Sequence, residues 1–393
     1  MSKVYITDAK RSPVGTFGGD FSSISPVELG KQVLEKLINS CPQIATETTM
    51  LIVGNVLSAG HGQNIARQIA LKAGMALTTP AYTLNQVCGS GLQSIITGVQ
   101  AIKAGDADIV IAGGVEVMSQ APFLLKKHRW GNKLGNEELI DSLVQDGLWD
   151  AFHDVHMGIT AETIAMQEDI SRDDQDTFAY QSHLKASRAE KEGFFREEIV
   201  PITLRLKKED KLISEDSTIR HETNIEALSK LKPVFDRDGS VTAGNASSIN
   251  DGAAFVVLMS EEKAKEYADL EKSICIKGHS TVANNPKVMG LAPCKGIETL
   301  LEKTKHTIEN IDLFEINEAF AAQVLAVQQK LNIPLEKLNI NGGAIALGHP
   351  IGASGARLIV SLMHSMFRNN AHTSIASLCV GGGQAVSVLL ENK

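Results

Sequence analysis

Two stretches far apart in this chain follow one local plan, and that repetition limits the folds open to it. The first runs through Tyr82-Thr83-Leu84-Asn85-Gln86-Val87-Cys88-Gly89-Ser90-Gly91 into Leu92, Ile95, Ile96, Val99 and Ile102 at helical spacing, until Gly105 ends the pattern. It reads as an apolar strand, a glycine-bearing turn and an amphipathic helix. The second, over 339–366, has the same order, with the loop Gly348-His349-Pro350-Ile351-Gly352-Ala353-Ser354-Gly355 opening a helix apolar at Leu358, Ile359, Leu362 and Met366. Each is followed by a strand ending in glycines, Ile109-Val110-Ile111-Ala112-Gly113-Gly114 and Leu378-Cys379-Val380-Gly381-Gly382. The match is weak in letters but constant in order. A duplicated half-fold is expected, with equivalent loops meeting at one site.

Around these units strand and helix alternate. Strands are expected at Val4–Thr7, Leu51–Gly54, Ala253–Met259, Ile274–Lys277, Leu313–Ile316 and Leu338–Ile340. Helices are expected at about Pro26–Asn39, His61–Ala73 and Gly352–Met366, and a final hairpin at Ser374–Leu390 turns on Gly381-Gly382-Gly383. This pattern predicts an α/β layered fold with largely parallel strands. Between 119 and 248 the texture changes to more charge and fewer buried-strand runs, with Asp173–Glu192 reading as a charged, exposed helix. The expected division is therefore an N-terminal α/β half (1–118), an inserted loop or lid (119–248) and a C-terminal α/β half (249–393).

Composition narrows the partners. A net charge of −8 argues against a general nucleic-acid or anionic-membrane binder, though a local basic patch can still hold a phosphate-bearing small molecule. Lys126-Lys127-His128-Arg129, Lys230 and Lys232 read as a solvated face. Cys41, Cys88, Cys275, Cys294 and Cys379 are odd in number and never paired as CxxC, which fits a reducing compartment and gives no metal or disulfide framework. Met1-Ser2-Lys3-Val4 enters a strand at once, with no signal-peptide core, and no apolar run is long enough to span a membrane. The cytoplasm is the expected location.

Four motifs carry chemistry. Cys88 falls at a strand-to-helix turn, where free N–H groups and the helix dipole favour a thiolate. Asn317-Glu318-Ala319-Phe320, Gly348-His349-Pro350 and Cys379-Val380-Gly381 each follow or end a predicted strand, where open α/β sheets collect ligands. Taken singly, Cys88 and Cys379 could fill core, Asn317 could cap a helix, and His349 could be an ordinary loop histidine. Together they have the residue types that a carbon-centred acyl transfer requires.

With Arg11-Ser12-Pro13-Val14-Gly15, His156-Met157-Gly158 and Gly244-Asn245-Ala246-Ser247 added in order, these motifs make the sequence resemble a thiolase along nearly its whole length. Val87-Cys88-Gly89-Ser90-Gly91 and His156-Met157-Gly158 resemble the biosynthetic, acetyl-CoA acetyltransferase branch. The resemblance implies duplicated half-folds in a five-layer αβαβα arrangement with an inserted loop domain. It implies that Cys88 takes the acyl group from an acyl-CoA, that His349 is its base, and that Cys379 moves the proton of the second acetyl-CoA. His349 and a water held by Asn317 would meet the enolate oxygen, and the N–H groups of Cys88 and Gly381 the acyl-enzyme carbonyl. Arg220 would lie near the coenzyme A nucleotide and Ser247 on the pantetheine arm. His156 and Met157 would line the acyl side, with Phe235, Met289 and Phe320 as apolar walls. Coenzyme A and acetyl-CoA would be substrates, with no permanent cofactor, no metal, and a homotetrameric assembly. Ser248 and His153-Asp154-Val155 depart from the branch pattern in loops that bear on chain length. The competing readings are a degradative 3-ketoacyl-CoA thiolase, a non-catalytic acyl-CoA or lipid binder, and a cysteine hydrolase that leaves Cys379 and Asn317 idle. A β-ketoacyl carrier-protein synthase would place histidine or asparagine where Cys379 stands.

Overall fold

One strand shows how the layers arise. In Asn250–Ser260, Ala254, Val256 and Leu258 belong to one apolar core, and Ala253, Phe255, Val257 and Met259 to another. Side chains alternate across a strand, so one that is buried at every position must be covered on both faces. The computed structural model, which describes residues 3–207 and 209–392, meets that requirement with nine principal strands. These are β1 (Val4–Arg11), β2 (Met50–Gly54), β3 (Ala81–Leu84), β4 (Ile109–Val117), β5 (Asn250–Ser260), β6 (Ile274–Ala283), β7 (Leu313–Ile316), β8 (Thr373–Val380) and β9 (Gln384–Glu391). Met1 and Ser2, from which the sequence reading enters the first strand, lie outside the described residues.

The strand order β7-β8-β9-β6-β1-β5-β4-β2-β3 is a duplication. β3-β2-β4-β5-β1 is one half-sheet and β7-β8-β9-β6 the other, and they meet only at Tyr5 with Cys275 and Ile6 with Ile274. The expectation of largely parallel strands is corrected. Among the described residues of these nine strands, parallel ladders join only β2 with β3 and β4, and β7 with β8; the remaining ladders are antiparallel. A three-glycine turn joins β8 to β9, and a connection that short permits only antiparallel neighbours. The expected strand at 338–340 is also absent. Only Leu338 bridges to Phe314, and the chain then turns through Asn339 at φ 45°. The Asn339 side chain replaces the missing ladder, accepting from Ile316 N at 2.8 Å and donating to Ile316 O at 2.9 Å.

Eight main helices complete the layers: α1 (Pro26–Ser40), α2 (Ile65–Lys72), α3 (Ser90–Ala104), α4 (Met157–Gln167), α5 (Arg172–Lys191), α6 (Ala292–Thr304), α7 (Ala321–Leu331) and α8 (Ile351–Asn369). α1 and α2 cover one outer face through residues such as Leu34 and Ile69. α6 and α7 cover the other through Leu300 and Val327. α3 and α8 lie between the half-sheets in one shared core, giving five layers αβαβα. Their backbones touch where they cross: a Cβ on Gly91 would come 2.9 Å from Ala356 N, and one on Gly355 2.4 Å from Leu92 N. Only glycine allows that approach.

The segment between β4 and β5 holds α4, α5 and short hairpins. α5 is not the exposed helix its charge suggests. Asp176, Ala179, Ser182, His183 and Ala186 are buried, because polar members of this stripe are hydrogen-bonded inward, Asp176 to Asn245 Nδ2 (2.9 Å) and Ser182 to Glu318 (2.6 Å). The basic run 126–129 is exposed, as expected. Among the described residues, no helix is long and apolar enough to cross a membrane.

Candidate active site

Cys88 stands in the turn between β3 and α3, directly after a strained residue. Val87 has φ 48°, a left-handed conformation that a β-branched side chain resists. The turn is pinned by Ser90, whose hydroxyl donates to Val87 O at 2.6 Å and accepts from Gln86 N at 2.8 Å. Burial pushes the Cys88 thiol up to about 11, the N–H groups of Gly381 and of Cys88 itself draw it back, and the Glu116 charge raises it further. Burial thus opposes the expected preference of the helix end for a thiolate, and a base is needed to offset it.

His349 is placed by two neighbours that the sequence reading did not single out. Gly348 precedes it at φ 89°, against the Asn250 side chain, and Asn250 Oδ1 accepts the His349 N–H at 2.9 Å. In the ring, Nδ1 lies 2.6 Å from Ser354 Oγ, and that hydroxyl gives its own hydrogen to Pro350 O at 2.9 Å. Ser354 has no second proton to offer, so Nδ1 carries the hydrogen and donates it. Nε2 is left with its lone pair, 3.5 Å from Asn317 Nδ2. Burial, with Arg357 as a lesser cause, lowers the imidazole to about 3. It rests neutral, with the Nε2 lone pair free.

Cys379 is the penultimate residue of β8 and is 1% exposed. Burial raises its thiol well above the ordinary range and the nearby Cys88 sulfur adds to this, while its own N–H opposes. The two cysteine segments are in contact: a Cβ on Gly89 would lie 2.8 Å from Val380 Cγ2, and Gln86 Nε2 donates to Gln384 Oε1 at 3.1 Å. Asn317 follows β7, fully buried, and is not a helix cap; Phe320 holds that position for α7. Its Oδ1 meets no donor among the described residues, which suits a solvent molecule.

A cavity of ≈ 600 Å³ opens onto Cys88, His349 and Gly381. Arg220, Ser247, His156, Met157, Phe235, Met289 and Phe320 all line it, so the structure brings every substrate-side residue named from the sequence to one place. Cys379 sits behind this wall, packed with Met157, Met289 and Phe320. His156 has a second task, since its Nδ1 accepts Gly158 N at 3.0 Å and caps α4 while the ring stacks on Phe235 at 4.6 Å. The wall segment 216–220 is anchored by buried Arg11, which binds Asp216 through two bonds of 2.7 and 2.9 Å. Leu148, Thr218 and Val234 also face the cavity and went unnoticed in the sequence. No periodicity marks a residue whose only distinction is the void beside it. Among the described residues, no cluster of three or more His, Cys, Asp or Glu is placed to hold a metal.

With this geometry in place, comparison with known proteins gives a consistent result. The thiolase N-terminal domain matches residues 4–262 and the thiolase C-terminal domain residues 270–392. A probable acetyl-CoA acyltransferase of Staphylococcus aureus (strain N315) is 48% identical over 391 residues, 99% of each chain. The crystal structure of the Bacillus anthracis acetyl-CoA acetyltransferase superposes with a TM-score of 0.97 at 44% identity, covering 100% of this chain and 99% of that one. Human mitochondrial 3-ketoacyl-CoA thiolase superposes at 0.96 with 38% identity and the same coverage. The chain belongs to the thiolase family. Within that family it is an acyltransferase enzyme.

Proposed function

We propose that the protein is an acetyl-CoA C-acetyltransferase that reversibly joins two acetyl-CoA into acetoacetyl-CoA and free CoA. The observation that carries this reading is one cavity lined by Cys88, His349 and Gly381, with the Cys379 thiol, from the half opposite Cys88, packed behind its wall, near enough for the Cys88 sulfur to act on it. Nε2 takes the Cys88 proton as the sulfur attacks the thioester carbonyl, and returns it to the departing CoA thiolate. The N–H groups of Cys88 and Gly381, which already point at the sulfur, hold the oxygen of the tetrahedral state. Nε2, neutral again, accepts the Cys379 proton, and the Cys379 thiolate removes a proton from the methyl of the second acetyl-CoA. Protonated Nε2 and a water on Asn317 steady the enolate oxygen. The enolate carbon then attacks acetyl-Cys88, forming the carbon–carbon bond and breaking the thioester, and the released Cys88 thiolate takes the proton back from Nε2. Every group needed belongs to the protein or its substrates, so no resident cofactor enters the scheme.

The substrate-side assignments follow the cavity. Arg220, exposed at its edge, serves the CoA nucleotide, and Ser247 the pantetheine arm. His156, Met157, Phe235, Met289 and Phe320 enclose the acyl end. Residues 119–248 act as the loop domain over CoA, between halves 1–118 and 249–393. A cytoplasmic homotetramer remains part of the proposal. Intact mass measurement after brief exposure to acetyl-CoA, with peptide mapping, tests it. An acetyl group on Cys88 is expected; an adduct on Cys379, or hydrolysis to acetate without condensation, defeats it. The likeness to a 3-ketoacyl-CoA thiolase keeps a longer-chain degradative activity as the rival, separated by comparing acetoacetyl-CoA with a longer 3-ketoacyl-CoA, each with CoA.

A further inference from the structure

The proposed scheme leaves one buried ionisable group beside the site without a task. Glu116 lies near the end of β4, in an otherwise apolar run, and is 0% exposed. No cation pairs with it among the described residues. Its carboxylate is instead filled by N–H donors: Asn55 Nδ2 (2.9 Å) and Leu57 N (3.1 Å) on Oε1, and Val56 N (3.0 Å) and Gly352 N (3.0 Å) on Oε2. These donors come from both halves. Residues 55–57 form the loop after β2, and Asn55 N–H bonds Leu84 O at 3.0 Å, on the strand that runs into Cys88. Gly352 belongs to the first turn of α8, beside His349, where the helix dipole favours an anion. The junction has no slack. A Cβ on Gly352 would come 2.5 Å from Glu116 Oε2, and one on Gly114 2.0 Å from Gly352 O.

We propose that Glu116 is a positioning residue for acyl transfer, clamping the helix that follows His349 to the loop beside Cys88 across the boundary between the two halves. The inference rests on the roles proposed above for Cys88 and His349. The clamp requires a carboxylate. Glutamine offers one acceptor oxygen and one NH₂, so the amide would confront backbone donors with another donor. Aspartate keeps the charge but is one methylene too short to reach both the loop and the helix. The negative charge has a second effect, since it opposes a thiolate at Cys88. Asp251 on β5 is the other carboxylate acting on Glu116, while His349 lines the same cavity as Cys88 and Cys379 lies close behind it. Burial pushes Glu116 itself up to about 7, against the pull of its three backbone donors.

Full-length E116Q and E116D test this through three readouts: melting temperature, kcat and KM with acetoacetyl-CoA and CoA, and the pH dependence of Cys88 alkylation by iodoacetamide. Both variants should lose at least about tenfold in kcat with KM changed less than about threefold, as expected when reacting groups are misplaced. The alkylation profile should move to lower pH in E116Q and stay near wild type in E116D. A purely structural residue would lower the melting temperature without moving that profile. A folded E116Q with wild-type kcat, or with an unmoved profile, overturns the proposal. If E116Q does not fold, E116D decides by the same kcat criterion. If neither folds, N55A, which removes one of the four donors on Glu116, decides: wild-type kcat in that variant overturns the proposal. Failure of wild-type Cys88 to acetylate would instead defeat the acetyl-transfer reading, and would leave the alkylation comparison readable.

Discussion

The two cysteines at the site carry the same side chain into different surroundings. Cys88 is half-buried at a helix entrance, open to the cavity and faced by two backbone N–H groups. Cys379 is sealed in a strand among methionines and aromatics, with only its own N–H opposing burial. A nucleophile needs access and a home for the oxyanion it creates. A proton carrier for a carbon acid needs high basicity and protection from water. Under the proposed reaction these demands fall on two different sulfurs, and the division can be tested.

The largest effect is expected from C88S. Loss of the nucleophile should reduce kcat by at least about 10⁴ and abolish the acetyl adduct. C379S should lower condensation by about 10³, within the usual range for a general acid–base group, while Cys88 still acetylates on brief exposure to acetyl-CoA. Equal loss of both steps in C379S would erase the proposed difference. N317A removes one support of the enolate oxygen and should cost about 10²–10³ in kcat, again with acetylation retained. The pH dependence sharpens the contrast further. Because burial raises both thiols, and Cys379 more strongly, iodoacetamide should label Cys88 increasingly as pH rises toward about 11 while Cys379 stays unmodified. Labelling of Cys379 first, read by peptide mass, would invert the comparison. S247A should be mildest, raising KM for CoA about fivefold, the value of one net hydrogen bond.

Much of this site was legible because its candidate residues stand in short, unusual words of sequence. Cys88, His349 and Cys379 each adjoin a glycine-bearing turn, and Asn317 directly follows a buried strand. Their supports were not legible, because support is a long-range property. Nothing near Asn250 announces that it will hold a backbone N–H of residue 349, and Ser354 reads as one more small residue in a glycine-rich loop. Glu116 carried a signal that was passed over, a lone carboxylate inside a strand otherwise fit only for core. The fold was legible as layers because buried strands and amphipathic helices alternate. Strand direction was not, since apolar runs look alike whichever way their neighbours point. The helix α5 was misjudged for a related reason: total charge hides a stripe of small and hydrogen-bonded residues that packs as well as an apolar one.

The contact of α3 with α8 through Gly91 and Gly355 has a consequence for how such an enzyme can diversify. Main chain abuts main chain there, so no exchange of rotamers can widen or narrow the spacing between the helices that follow Cys88 and His349. A descendant that accepts a bulkier acyl group must recarve the outer lining, at positions such as Leu148 or Met157, and leave that crossing untouched.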